Sequence, residues 1–155
     1  MGKKTKVTAA ILGLGLIIAL GVGYYMFNMP QRDVQNTKTD YTLNSAELVN
    51  EYLNDAKAAN EKYLQEEGDS KILAITGTIA AITTDLNDQK VVLLKDLDHE
   101  AGVRCTFTTE TNTNAMGLLV GETTTIKGVI RSGAGYDEDL GLYEDVIMEK
   151  CDVLR

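Results

Sequence analysis

Two cysteines, one histidine and two knots of acidic residues are the side chains of this 155-residue chain whose types could do chemistry. Cys105, Cys151 and His99 are too few for a four-ligand zinc site, and no C-x-x-C-H run for haem attachment occurs. The two cysteines can be read as a disulfide or as two buried thiols acting as small hydrophobes, and both readings stay open. A catalytic thiol is disfavoured, because His99 sits in a charged stretch away from either cysteine in sequence. Asp96, Asp98, His99 and Glu100 form one acidic knot, and Asp137, Glu138 and Asp139 the other. Oxygen-rich loops can hold calcium, but neither spacing matches an EF-hand, so no metal is expected. Arg131, Tyr136 and Tyr143 flank a glycine-rich stretch and offer a guanidinium fork and two amphipathic rings. They are the best candidates for ligand contact. No nucleophile motif, P-loop or dinucleotide fingerprint is present. The expectation is a non-enzyme without a cofactor.

The elements that must position these residues are mostly strands. From residue 71 onward β-branched residues alternate between turn signals. Strands are expected over 71–84, 89–95, 103–108, 123–131 and 142–154. A short helical insert is expected over 113–120 and an acidic loop over 132–141. Gly77 and Gly128 inside strands suggest bulges or sharp bends. Before the strands, Asn44 and Glu47 form a capping-box pattern, with Leu43 and Leu48 at the staple positions. Leu48, Tyr52, Ala56, Ala59 and Tyr63 then mark one helical stripe, and Gly68 suits its stop. Five strands with a helix between the third and fourth is the layout of an OB-fold, a Greek-key barrel. The fold class is therefore β, as a small α+β domain.

Several segments carry a family resemblance. They are Asp55-Ala56 through Lys62-Tyr63, Ile75-Thr76-Gly77, Val103-Arg104-Cys105-Thr106-Phe107, Leu118 to Gly121, Thr125-Ile126-Lys127-Gly128 and Cys151-Asp152-Val153-Leu154. Over roughly Ser45 to Leu154 the chain resembles the tRNA-anti-like family of bacterial OB-fold proteins. The resemblance implies a small exported or lipid-anchored protein, and its name implies nucleic-acid binding by analogy of fold. It implies no catalytic residue. On an OB barrel the loop between strands four and five, here 132–141, is a usual ligand site, opposite the first hairpin loop at 85–89.

Residues 7–27 carry no charged side chain and follow Lys3, Lys4 and Lys6. As a helix they would measure about 31 Å, roughly the thickness of a hydrocarbon core. The expected organisation is a basic cytoplasmic tail at 1–6, a transmembrane signal anchor at 7–27, a flexible linker at 28–42 and the OB domain at 43–155. Pro30 would end the helix. The lysine tail puts the N-terminus inside and the domain outside, which is periplasmic on an inner membrane. Secretion after signal cleavage is the alternative. Gly15, Ala19 and Gly23 share one helix face and would let two anchors approach as a homodimer. Three of the 15 basic residues precede the apolar run, leaving twelve against all 23 acids in the residues beyond it. That excess opposes nucleic acid, because affinity for phosphates comes mainly from Lys and Arg. The expected function is a membrane-tethered binding module for a protein, peptide or small envelope ligand. Its rivals are a nucleic-acid-binding module and a structural envelope component acting through the membrane helix.

Overall fold

The computed structural model describes residues 2–28, 32–65 and 69–155, with the side chains of 3–10 outside the description. Two units result, Met1–Arg32 and Asp33–Arg155. The first is helix α1 (Lys3–Phe27), 25 residues long. Its last turn closes where the main-chain and side-chain amides of Asn28 both donate to Tyr24 O, at 3.0 and 2.9 Å. Pro30, expected as the helix stop, lies outside the described residues. The large apolar side chains from Ile11 to Phe27 are 52 to 94% exposed. Among the described residues no helix is long and apolar enough to cross a membrane. The described side chains of α1 begin at Ile11, short of the about 20 residues a span needs, so the anchor expected over 7–27 is not established by them.

In the second unit, β1 (Tyr41–Asn44) leads directly into α2 (Ser45–Asn54). The capping box forms, with Glu47 Oε2 accepting from Asn44 N–H at 3.5 Å. The single helix expected here is two. Asp55 leaves helical geometry and caps α3 (Ala56–Tyr63), accepting from Ala58 N–H at 3.0 Å. Aspartate satisfies an orphan amide best at that position, so it starts a new helix rather than continuing the old one. Leu48, Tyr52, Ala59 and Tyr63 are buried as the stripe predicts, while Ala56 at the break is exposed. Gly68 lies outside the described residues.

The strands are β2 (Ile72–Thr84), β3 (Lys90–Leu94), β4 (Val103–Phe107), β5 (Thr123–Ser132) and β8 (Val146–Val153). Helix α4 (Asn112–Ala115) stands between β4 and β5, shorter than the expected insert. Their order is β2-β3-β4-β8-β5, and β5 pairs back to β2. This closed five-strand barrel is the OB arrangement. Leu73, Ile75, Val92, Phe107, Ile126 and Met148 fill it at 1% exposure or less. Each such side chain stabilises by about 1.5–3 kcal/mol, far more than a surface ion pair. Gly128 sits at a register shift between β5 and β8, where a β-carbon would meet Cys151 Sγ at 2.6 Å. Gly77 lies in unbroken register with β5; what it permits is the approach of Ser45.

Two further expectations need correction. The fifth strand does not run over 142–154. Leu142–Glu144 turns away to pair with Gly135–Asp137, as β7 and β6, and only then does β8 begin. The linker expected over 28–42 is ordered from Asp33 onward. Val34 is 3% exposed and packs with Ile72 and Val129 on the outside of the barrel. Lys127, 8% exposed, donates from Nζ to the carbonyls of Gln35 and Thr37, and Gln35 Nε2 donates to Lys150 O. β1 then joins β2 in parallel. The polar sequence hid this docking because its anchors are main-chain carbonyls, which carry no sequence signal.

Replacing Lys127 by Met keeps the aliphatic stem and removes the donor. The loss should cost about 1–3 kcal/mol. Hydrogen exchange should rise at residues 33–40 while the amides of β2 and β3 in the barrel keep their protection.

Candidate functional site

The segment between β5 and β8, GAGYDEDLGLYED at 133–145, carries five acids and no base. It folds into the β6–β7 hairpin with Tyr136 opposite Tyr143. The turn is closed by Asp137, whose Oδ1 accepts from Asp139 and Leu140 N–H at 2.9 and 3.0 Å. Gly141 supplies the positive φ of 66° that the turn requires. The two tyrosine rings meet at 4.9 Å between centroids, tilted by 55°. They remain 54% and 39% exposed, and Leu140 and Leu142 of the same hairpin are exposed as well.

The root of the hairpin is fixed on both sides. Gly133 lies against the ring of Tyr52, where a β-carbon would overlap ring carbons, and Ala134 beside it is buried. On the other side Asp145 accepts from Gly102 N–H at 2.8 Å and from Arg104 Nη2 at 2.9 Å. Tyr52 is 2% exposed, and its hydroxyl has no hydrogen-bond partner among the described residues. Burial, with smaller contributions from Tyr63 and Glu51, pushes it up to about 12. Burial does the same to Tyr63, again to about 12, with its hydroxyl donating to Glu51 Oε2 at 2.7 Å. Lys62 bonds the same carboxylate at 2.9 Å and lies over the Tyr63 and Tyr41 rings. Burial works against Glu51, but the Lys62 and Tyr63 hydrogen bonds outweigh it and hold its carboxyl below the usual range.

The expected trio is thus only partly assembled. Tyr136 and Tyr143 come together, whereas Arg131 pairs with Glu149 on β8 at 2.8 Å. Phe107, the one phenylalanine of the barrel, is 1% exposed and offers no stacking face. Cys105 and Cys151 are free thiols, both fully buried. Cys105 faces Met148 and Cys151 faces Phe107 on the parallel pair β4 and β8, with a register shift between the two positions. Burial, together with the adjacent Cys105 thiol, pushes the Cys151 thiol well up. The other acidic knot lines a depression of about 590 Å³ with Leu93, Lys95 and His99, whose Nδ1 is buried without a described partner. No group of three or more His, Cys, Asp or Glu side chains suited to a metal occurs among the described residues. Gly15, Ala19 and Gly23 lie on α1, and nothing described comes within 4 Å of a β-carbon at Gly15 or Gly23.

Residues 2–140 match the tRNA_anti-like family. The chain belongs to that family. The match starts before the span read from the sequence and takes in α1. No curated protein matches. Among solved structures, a lipoprotein from Klebsiella pneumoniae subsp. pneumoniae, provisionally assigned as nucleic acid-binding, is similar. It shares 16% identity at a TM-score of 0.53, over 82% of this chain and 100% of that one. Asparaginyl-tRNA synthetase of Entamoeba histolytica, in complex with asparaginyl-adenylate, shares 17% identity at a TM-score of 0.43. That match covers 76% of this chain and 24% of the synthetase. At these identities the first match speaks for the fold alone.

In this tRNA_anti-like chain the sequence places Tyr52 in a buried stripe, but its contact with Gly133 and the anchoring role of Asp145 at the hairpin root are not read from it. Asp145 carried no signal of its own, since it falls on the same exposed parity as Ile147 and Glu149. Gly133→Ala should overpack the Tyr52 ring and cost about 1–3 kcal/mol in chemical denaturation. The raised tyrosines fix the alkaline limb. Their neutral form is the one the fold favours, so the stability they support is whole below about pH 10 and falls as pH rises toward 12. Tyr52→Phe removes an orphan hydroxyl and should be neutral or stabilising by up to about 1 kcal/mol. Denaturation midpoints of this variant, measured across the alkaline range, should decline later than those of the parent.

Proposed function

We propose that the chain is a non-catalytic OB-fold module, held at an envelope membrane by its N-terminal helix, that binds a protein, peptide or small envelope ligand outside the cytoplasm. One observation carries the choice of ligand class. The loop between β5 and β8 holds only acids, and the arginines nearest it in the strands, Arg104 and Arg131, are each paired with a carboxylate. Phosphate recognition needs cations in surplus, and base stacking needs exposed rings on the barrel face. The membrane reading rests on the uncharged run at 7–27, on a helix of 25 residues and on apolar side chains exposed along α1 from Ile11 to Phe27. A helix apolar on all sides needs an apolar surrounding. The Gly15, Ala19 and Gly23 face fits a homodimer of such anchors.

A second reading, nucleic-acid binding, is favoured by the family name and by the assignment given to the Klebsiella protein. Titration with single-stranded DNA and RNA at about 150 mM salt separates the two. The expected result is no saturable binding below the millimolar range, and salt-sensitive micromolar binding would reverse the choice. Fractionation of cells with protease shaving of spheroplasts tests the location. The barrel should be membrane-associated and digested from outside, and a protease-resistant barrel in the cytosol would sink the envelope assignment.

A further inference from the structure

The hairpin narrows the ligand class, on the binding-module reading above. We infer that β6–β7 receives an extended, cationic segment of a partner protein, added as a strand along the hairpin with a Lys or Arg side chain seated against Tyr136 and Tyr143.

Three independent features meet there. The first is charge. Glu138, Asp139 and Glu144 make no ion pair among the described residues, and Asp137 is engaged only by the turn's own amides. The acids of the β3–β4 loop, Asp96, Asp98 and Glu100, extend the same sign along a loop whose end, Gly102, is hydrogen-bonded to Asp145 at the hairpin root. A surface of one sign attracts and orients a partner of the other. The second is the aromatic corner. Two exposed rings, tilted rather than stacked flat, leave faces on which a cation can rest within about 6 Å of a centroid. The third is the backbone. β6 and β7 pair only with each other, so each has an outer edge of main-chain groups that no described strand covers. A two-stranded ribbon is marginal by itself, and a third strand completes it. Tyr52 and Asp145 hold the root in place, which lowers the ordering cost of binding. A phosphate chain or an anionic lipid surface could use the edge and the rings but would meet the carboxylates unfavourably.

The test uses the full chain in neutral detergent, titrated by calorimetry with four probes. These are a short peptide alternating Lys and Thr, the same peptide N-methylated on alternate amides, its Glu–Thr counterpart, and spermidine. The Lys–Thr peptide should bind and weaken at least about tenfold between about 50 and 300 mM salt. N-methylation should weaken it about tenfold by removing ladder donors, and the Glu–Thr peptide should not bind. Replacing Tyr136 and Tyr143 together by Ala, both exposed and so compatible with folding, should cost about tenfold. The E138Q/D139N variant should cost less, about threefold, without touching the rings. Equal binding by the double tyrosine variant, by the N-methylated peptide or by spermidine would reduce the effect to diffuse charge and overturn the inference. Absence of Lys–Thr binding overturns it as well. If no peptide binds while single-stranded DNA does, the binding-module reading falls with it; if neither binds, only the inference is lost.

Discussion

Strand β2 is shared between two neighbours, and the barrel exists because it changes partner midway. From Ile72 to Thr78 it pairs with β5, and from Ile79 to Thr84 with β3. The register shift between Ile79 and Ala81 marks the handover. A strand that bends at such an irregularity can serve two sheets, and here it closes one sheet upon itself. The first half of β2 still has a free side, which β1 takes in parallel. Lys127 projects from β5 next to this seam and fixes the preceding segment through two carbonyls. The ordered segment from Asp33 onward is therefore a consequence of closure, not a separate design.

Closure also sets the geometry of the loop between β5 and β8. Its two ends are neighbouring strands of the barrel, so the intervening residues must leave and return at nearly the same place. The hairpin solves that constraint. Its departure is pinned where Gly133 meets Tyr52, and its return where Asp145 captures Gly102 and Arg104. Between those points the tip is free to carry surface chemistry without straining the core. The uncapped Tyr52 hydroxyl is tolerated because the ring, not the oxygen, makes the contact. An unsatisfied hydroxyl costs about 1–3 kcal/mol, comparable to what the buried ring returns.

Most strand positions were legible because alternation survives in a barrel with one wet face. In β4 Val103, Cys105 and Phe107 are buried, while Arg104 between them is exposed and Thr106 half-buried. The capping box at Asn44 was equally legible, being encoded by two side chains. What failed were features written in the backbone. The break at Asp55 looks like one more polar residue on a helix surface, yet its side chain prefers to cap. The hairpin was mistaken for loop and strand because Leu142-Tyr143-Glu144 continues the alternation of β8 across the turn at Asp145. The docked residues 33–40 are polar throughout apart from Val34, and nothing in their composition announces a buried lysine 90 residues on. At the candidate site the two tyrosines could be named from sequence. Their pairing could not, since it depends on a cross-strand register that only the hairpin creates.

The pairing of Arg104 and Arg131 does not by itself bar phosphate. Exposed ion pairs are worth about 0–1 kcal/mol, so an incoming phosphate could recruit either guanidinium. The obstacle is what recruitment leaves behind. Asp145 or Glu149 would be stripped of its cation and stand beside the phosphate, with the hairpin acids close by in sequence. Two like charges about 6 Å apart repel by roughly 1 kcal/mol in water and by a few at the effective dielectric of a protein surface. Each phosphate contact would therefore return little, while a cationic side chain in the same place gains from every one of these groups. An OB barrel supplies a platform and two tethered loop ends; the sign of the residues placed between them selects what can settle there.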